Sequence, residues 1–285
     1  GVASYFNEFL DASALTVGNG FGLPNNYWTY VGGRYLQRAG SVYLSSQGLA
    51  VTFLIIVPAA ATWLTLARRW RSPLYVLGFA IVWVGLLLTI TRMTIAACLL
   101  QLVLLLVLWR RPGTVIALAA AGAVTAALLL AAVPGLAHFV WETLTWQTGS
   151  SGSHSKDYYN GLVALVRYPL GAGLGTTDLT AVRLGRVGLT NDNLFLKYGV
   201  ELGIPGLLLF VGWLATLLWT GVRSAATAVR RQHRAFHAFA AACTLGIVVN
   251  GATAVLFNAP MVTYLFFWSA GIAVAILEPD PAPHA

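Results

Sequence analysis

Seven long runs of apolar residues divide the chain, and each is long enough to cross a membrane as a helix. A bilayer core is about 30 Å thick and takes roughly 20 helical residues to span. The runs are continuous rather than alternating, which favours helices over barrel strands. The predicted spans are Gly48–Leu66, Pro73–Thr91, Met93–Trp109, Thr114–Val133, Pro205–Val222, Phe236–Phe257 and Pro260–Leu277. We therefore expect an all-α, polytopic integral membrane protein.

One long polar segment, residues 134–204, separates the fourth predicted span from the fifth. It is rich in glycine and charge, and we expect it to contain short helices. The stretch Asp157–Pro169 has the pattern of a short amphipathic helix that proline ends. The chain thus divides into an outer segment, four spans, one large outer loop, three spans and a short tail. These parts are 1–47, 48–133, 134–204, 205–277 and 278–285.

Composition agrees with this arrangement and excludes some classes of protein. The chain is 58% hydrophobic and 9% charged, whereas soluble domains average about 45–50% and about 25%. It contains no basic soluble domain that would bind nucleic acid. Both cysteines, Cys98 and Cys243, lie inside apolar runs and are expected to be small core residues. The first 47 residues begin at Gly1 and resemble the interior of a loop, so we expect a fragment that lacks N-terminal transmembrane helices.

Arginine placement predicts the orientation of the chain. Cytoplasmic loops are enriched in lysine and arginine. Unopposed positive charge follows the first, third and fifth spans, at Arg68–Arg71, Arg110–Arg111 and 223–234. These connections fall on one side, which we assign to the cytoplasm together with the C-terminal tail. The segment 1–47, the turn at Arg92 and the loop 134–204 then share the outer side.

Three arginines are predicted to lie at the outer surface. Arg92 interrupts an apolar run, where a charged side chain is costly and therefore marks a candidate functional site. The alternative is that it ends a tight turn and extends to the interface. Arg34 and Arg38 precede the first span. Each guanidinium group can bind two phosphate oxygens at once, so these three side chains can together hold a diphosphate head group. Interface anchoring is the alternative for Arg34 and Arg38.

The end of the loop offers a candidate general base. Asp192 lies in an Asn-Asp-Asn cluster, which is also a favourable N-cap for the helix that follows. Both interpretations of Asp192 stay open. Glu201 is interpreted as mainly structural. The glycine-rich stretch Leu170–Thr176 predicts a tight turn that presents backbone amides, since no βαβ unit surrounds it. The five histidines show no ligand spacing with cysteine or acidic residues, so no metal site is predicted.

The order of these motifs resembles the superfamily of O-antigen ligases and O-antigen polymerases, which are bacterial membrane glycosyltransferases. The resemblance rests on four stretches in order: Arg38–Tyr43, Leu88–Arg92, Pro169–Gly175, and Asp192–Leu196 with Glu201–Leu207. The family patterns are an Arg-x-x-Gly entry, a Leu-Thr-x-Ser-Arg helix end, a Pro-Leu-x-Gly-x-Gly turn and a His-Asn-x-Tyr-Leu segment followed by Glu-x-Gly-x-x-Gly-Leu. Asp192 stands where the ligases commonly have histidine.

This resemblance implies a reaction and a location. Members of the family transfer glycans from a polyprenyl diphosphate to an acceptor glycan, lipid or protein, outside the bacterial cytoplasmic membrane. Neither a nucleotide sugar nor a metal or other cofactor is expected. Arginines hold the diphosphate while a base activates the acceptor hydroxyl. The arginine expected early in the loop has no direct match, and His154 and Lys156 are the nearest candidates. We expect a multi-pass inner-membrane polymerase or ligase for cell-envelope polysaccharide.

A membrane transporter or flippase component without catalytic activity is the alternative from another class. A transporter should place polar groups along a path near mid-membrane, often with broken helices. Here the charged residues gather at one predicted face, which favours an enzyme acting at the membrane surface.

Overall fold

A computed structural model of the chain describes residues 28–31, 34–37, 46–66, 73–109, 149–177 and 193–277, with isolated positions between 141 and 189. Its α-helices are α1 Ser46–Leu66, α2 Pro73–Leu88, α3 Arg92–Leu108, α4 Gly149–Arg167, α5 Leu194–Thr227, α6 Arg231–Gly251 and α7 Pro260–Ala275. A 3-10 turn, Leu256–Asn258, joins α6 to α7. Six of the seven predicted spans thus fall on helices, and the fourth, Thr114–Val133, lies outside the described residues.

The fold is helical as predicted, apart from a small hairpin that the sequence analysis did not anticipate. Strands β1 (Trp28–Val31) and β2 (Arg34–Gln37) pair in antiparallel fashion, with Val31 opposite Arg34. Two glycines, at 32 and 33, lie between the strands. A Gly-Gly pair between alternating apolar and polar residues is a known hairpin signal. The segment 1–47 therefore contains strand structure near the start of α1.

The length and composition of the helices support membrane insertion for part of the chain. Among the described residues, Ser46–Trp63 of α1 and the whole of α5 are long and apolar enough to cross a bilayer. Three shorter apolar helices are also present among the described residues: α3, α7, and the part of α2 from Leu77 to Leu88. The predicted count of seven spans is therefore not confirmed by helix length. Helices α2 and α7, with 16 residues each, fall just below the roughly 17 to 25 residues that spanning takes, and α3, with 17, lies at the lower limit.

Helix α6 is the centre of the bundle and packs against α5, α3, α1 and α7. Its buried face is built largely from small residues: Ala235, Ala238, Ala240, Ala241, Ala242, Cys243, Gly246 and Gly251. Small side chains let neighbouring helix backbones approach closely. Gly221 of α5 lies against Ala241, for example, so closely that an added Cβ would meet that alanine at 3.0 Å. Packing rather than charge holds α5 to α6 here.

Buried amides fix the register of the helices around α6. Gln101 of α3 is fully buried and its Nε2 donates to Leu54 O of α1 at 2.8 Å and to Ala242 O of α6 at 2.9 Å. Asn250 Nδ2 donates to Thr94 Oγ1 at 2.9 Å. From the first link to the second, the position moves back along α3, from Gln101 to Thr94, and forward along α6, from Ala242 to Asn250, so α3 and α6 run antiparallel.

The bundle consequently has two distinct ends. The starts of α3 and α5 lie beside the last residues of α6, since Leu194 packs against Gly251. We call this the polar end. The end of α5 and the start of α6 lie at the other end, where Arg223, Arg230, Arg231 and Arg234 are exposed; we call it the arginine end.

Candidate functional site

The turn between α2 and α3 presents Arg92 at the polar end. Backbone bonds from Thr89 N to Leu86 O and from Ile90 N to Leu87 O close the turn. Ile90 has φ 49°, a left-handed conformation that is unusual for a β-branched residue. Arg92, the first residue of α3, is half-buried. Desolvation lowers its pKa from the usual value, because burial disfavours the charged form.

A chain of hydrogen bonds runs from the start of α3 to the start of α5. Thr94, two residues after Arg92, accepts from Asn250 near the end of α6. Two residues beyond Asn250, Ala252 O accepts from Asn193 Nδ2 at 2.8 Å. Asn193 directly follows Asp192 in sequence. The elements that carry Arg92 and Asp192 are therefore tied to one helix end, although Asp192 itself lies outside the described residues.

Asn193 is the N-cap of α5. Its Oδ1 accepts from Leu196 N at 2.8 Å, and its side chain is buried. A helix N-cap is one of the two interpretations of Asp192 that the sequence leaves open. With Asn193 in that position, the helix start has its capping side chain without Asp192. The general-base interpretation of Asp192 stays a prediction.

Helix α4 begins at Gly149, eight residues before the predicted start at Asp157. His154 and Lys156 thus lie on a helix. His154 is half-buried, one turn before Tyr158 and on the same face. Tyr158 OH donates a short hydrogen bond to Ala252 O, which places this face of α4 at the polar end. Lys156 is exposed and points to the other side of α4.

The glycine-rich turn after α4 interlocks with a break in α5. Gly203 has φ 76° and ψ −178°, which interrupts the helix and leaves the carbonyls before it without partners inside α5. Ala172 N donates to Val200 O at 2.7 Å, and Gly173 N donates to Glu201 O at 3.2 Å. In return, Ile204 N donates to Pro169 O at 2.8 Å. The turn presents backbone amides as predicted, but the amides of Ala172 and Gly173 are already hydrogen-bonded to α5.

Only glycine fits at the point of closest approach between the turn and α5. A Cβ on Gly203 would lie 2.5 Å from Leu170 C, and a Cβ on Gly171 would lie 2.7 Å from Glu201 O. Both residues also have positive φ, 76° and 100°. The glycine-rich stretch Leu170–Thr176 and the glycine-containing segment Glu201–Leu207 thus pack directly against each other.

Glu201 is buried beneath this contact. Its Oε1 accepts from Thr177 Oγ1 at 2.5 Å, and Thr177 is itself fully buried. This agrees with a structural role for Glu201. Lys197, four residues earlier, reaches across to Asn258 Oδ1 at 3.4 Å. Together these contacts attach the first half of α5 to the loop and to the turn before α7.

The remaining predicted residues lie in or near the N-terminal hairpin. Arg34 is the first residue of β2. Arg38, like Asp192, lies outside the described residues. The N-cap predicted for the Asn-Asp-Asn cluster is confirmed at Asn193, whereas Asn250 and Tyr158, which also tie the polar end together, were not predicted. A signal existed for Asn250, because a buried amide inside an apolar run needs a partner.

Comparison with known proteins points to one family. Residues 76–211, a little under half of the chain, match a family described as O-antigen ligase. This match supports the O-antigen ligase superfamily. The matched region contains α2, α3, α4 and the first half of α5, and with them Arg92, His154, Lys156 and Asp192. Arg34, Arg38 and helix α6 lie outside it. A search of curated proteins gave no significant match.

The match supports a family of bacterial membrane proteins that ligate or polymerise glycans. The predicted resemblance is thus confirmed at the level of family.

Proposed function

We propose that this protein polymerises or ligates glycans carried on a polyprenyl diphosphate, at the outer face of the bacterial cytoplasmic membrane. The observation that carries the proposal is the match to the O-antigen ligase family over residues 76–211, which include the starts of α3 and α5 at the polar end. Arg92 begins α3 there, and the α5 start next to Asp192 is linked to α3 through Asn193, Ala252, Asn250 and Thr94.

The proposed reaction is a displacement at the anomeric carbon of the lipid-linked sugar. An acceptor hydroxyl oxygen forms the new bond to that carbon while the bond to the diphosphate oxygen breaks. Asp192 takes the hydroxyl proton, and the leaving diphosphate takes the bonding electron pair. Negative charge grows on the diphosphate as it leaves. A fixed guanidinium lowers the energy of that charge in the transition state.

In this proposal the arginines have unequal roles. Arg92 binds the diphosphate from the half-buried start of α3, and Arg34 and Arg38 approach from the segment before α1. His154 is on the face of α4 that meets the polar end, which makes it the reserve candidate for the base. Lys156, on the outer side of α4, contacts lipid or diphosphate from the loop side.

Substitution of Arg92 tests the proposal. Glycan transfer is measured as polymer or ligated product formed from a purified lipid-linked glycan by the full chain in vesicles. We expect Arg92→Ala to remove most of the product. We expect Arg92→Lys to restore little, because an ammonium does not bind two phosphate oxygens in the way that a planar guanidinium does.

Arg230→Ala is the matched control, since Arg230 is an exposed arginine at the opposite end of the bundle. It should leave product formation unchanged. Normal transfer by Arg92→Ala would contradict the proposed site. Movement of the lipid-linked glycan between leaflets, without any new glycosidic bond in the unsubstituted protein, would favour the flippase alternative.

A further inference from the structure

The exposed side of α4 is divided into two sectors. Positions facing the bundle are buried or half-buried and recur with helical spacing, as Gly161, Ala164 and Leu165 do. The rest of the helix surface faces away from the protein. Its apolar sector holds Tyr159, Leu162, Val163 and Val166, and its polar sector holds Lys156, Asn160 and Arg167. An exposed apolar stripe beside a cationic stripe is typical of a helix that lies in a membrane interface.

The apolar sector is large and strongly exposed. Val166 is 81% exposed, and Leu170, in the turn that follows α4, is 85% exposed. A contiguous patch of this kind on a folded protein marks a contact surface rather than ordinary surface variation.

This patch continues onto the apolar surface of α5. Ile204 N donates to Pro169 O, so Leu170 lies beside the exposed Ile204. One turn further along α5, Leu208 and Leu209 are also exposed. Helix α5 is one of the two described helices that are long and apolar enough to cross a bilayer. The surface of α4 is therefore continuous with a surface that has the composition of a lipid-facing one.

The position of α4 along the bundle agrees with an interfacial depth. Tyr158 donates to Ala252 O, just beyond the last residue of α6, and Leu165 packs against Gly199 in the first half of α5. Helix α4 is thus level with the ends of the bundle helices, where a membrane surface would lie. Lys156 and Arg167, next to the apolar sector, match the negative charge of lipid phosphates.

We propose that α4 is a membrane-surface helix whose apolar sector and Leu170 insert among the lipids of the leaflet at the polar end. The partner is the lipid bilayer itself: acyl chains contact Tyr159, Leu162, Val163 and Val166, and phosphates contact Lys156 and Arg167. The proposal does not depend on which glycan the protein handles. It makes the loop around α4 part of the membrane-bound body of the protein.

Site-directed spin labelling tests this proposal with two exposed positions on one helix. Val166→Cys lies in the apolar sector and Asn160→Cys in the polar sector. The native Cys98 and Cys243 are buried, so labelling is selective. Each labelled full-length chain is reconstituted in vesicles of phosphatidylethanolamine and phosphatidylglycerol. Collision with oxygen, which concentrates in lipid, is compared with collision with a water-soluble nickel chelate.

We expect the nitroxide at Val166 to collide several times more often with oxygen than with the nickel chelate, relative to the nitroxide at Asn160. Equal, water-like accessibility at both positions would overturn the proposal. Low accessibility of Val166 to both reagents would overturn it too, because it would show burial by protein rather than by lipid.

Discussion

At the polar end, side-chain hydrogen bonds join helices that are far apart in the sequence, whereas towards the arginine end α5 and α6 are joined mainly by close packing of small residues. Asn193, Asn250 and Thr94 link three helix termini at the polar end. Towards the other end, Gly221 lies against Ala241, and Arg234 adds a bond to Ala228 O at the α5 C-cap. Hydrogen bonds restrict both distance and angle, while packing of small residues restricts mainly distance.

This difference indicates at which end of the bundle the helix termini are positioned more precisely. The elements that carry Arg92 and Asp192 are positioned by directed bonds, as the proposed site for one substrate requires. The arginines at the opposite end are exposed. In the predicted orientation their contribution depends on charge count rather than on side-chain geometry. Substitutions at the two ends should therefore have different consequences.

The largest contrast is expected in the labelling of the two ends from outside the cell. Separate variants carry Ser151→Cys, in the first turn of α4, and Ala226→Cys, an exposed position in the last turn of α5. If the polar end is outside, a membrane-impermeant maleimide should label Ser151→Cys in intact cells and Ala226→Cys only after lysis. The reverse pattern would invert the orientation predicted from the arginines.

The next effect concerns Asp192 and its neighbour Asn193. We expect Asp192→Asn to lower the rate of glycan transfer by about 10²- to 10⁴-fold, the usual contribution of a general base. Its thermal stability should change little. Asn193→Ala should instead lower stability by about 1–2 kcal/mol, because the capping acceptor for Leu196 N is lost.

Rate and stability are measured on the same purified samples of these two variants. Full activity in Asp192→Asn would exclude the carboxylate as base and direct attention to His154.

A purely structural effect is expected at the interlocked glycines. Gly203→Ala places a Cβ against Leu170 and Pro169 in a backbone region that only glycine adopts readily. We expect the free energy of unfolding, measured by thermal denaturation, to fall by about 3 kcal/mol or more. Gly212→Ala is the control in the same helix, since nothing lies within 4 Å of its added Cβ. It should be neutral or stabilising by up to about 1 kcal/mol. Equal stability of the two variants would refute the interlock.

A smaller effect than at Gly203 is expected at the buried pair of Thr177 and Glu201. Thr177→Val keeps the shape of the side chain but removes the hydroxyl that donates to Glu201 Oε1. A buried acceptor that loses its partner costs about 1–3 kcal/mol. Thr216→Val is the control, because Thr216 is exposed and bonds only within its own helix, to Gly212 O. If both variants unfold at the same temperature, the Thr177 bond contributes nothing to stability.

The sequence predicted the helices well because apolar run length is a local property. The runs from 48, 73 and 93 became α1, α2 and α3 with ends within a few residues. The hairpin at 28–37 was missed although its Gly-Gly turn was readable. The start of α4 was missed for a physical reason: Gly149–Ser155 is rich in glycine and serine, which have low helix propensity.

The site was predicted less completely, because its contacts join residues far apart in sequence. Asn250 meets Thr94 across 156 positions, and Tyr158 meets Ala252 across 94. Periodicity and spacing carry no information on such pairs. The glycine turn was predicted as a turn, but the use of its amides depends on the break at Gly203. The break lies next to the predicted start of a span at Pro205, but its pairing with the turn is a tertiary contact.

The interlock between the turn and α5 also imposes an order on biosynthesis. Residues 169–173 leave the ribosome before Val200 and Glu201, to which two of their amides are bonded in the finished protein. Until α5 is made, water is the partner available to those amides. The contact between the turn and α5 therefore forms only after both segments have been synthesised, so the loop is joined to α5 late in folding.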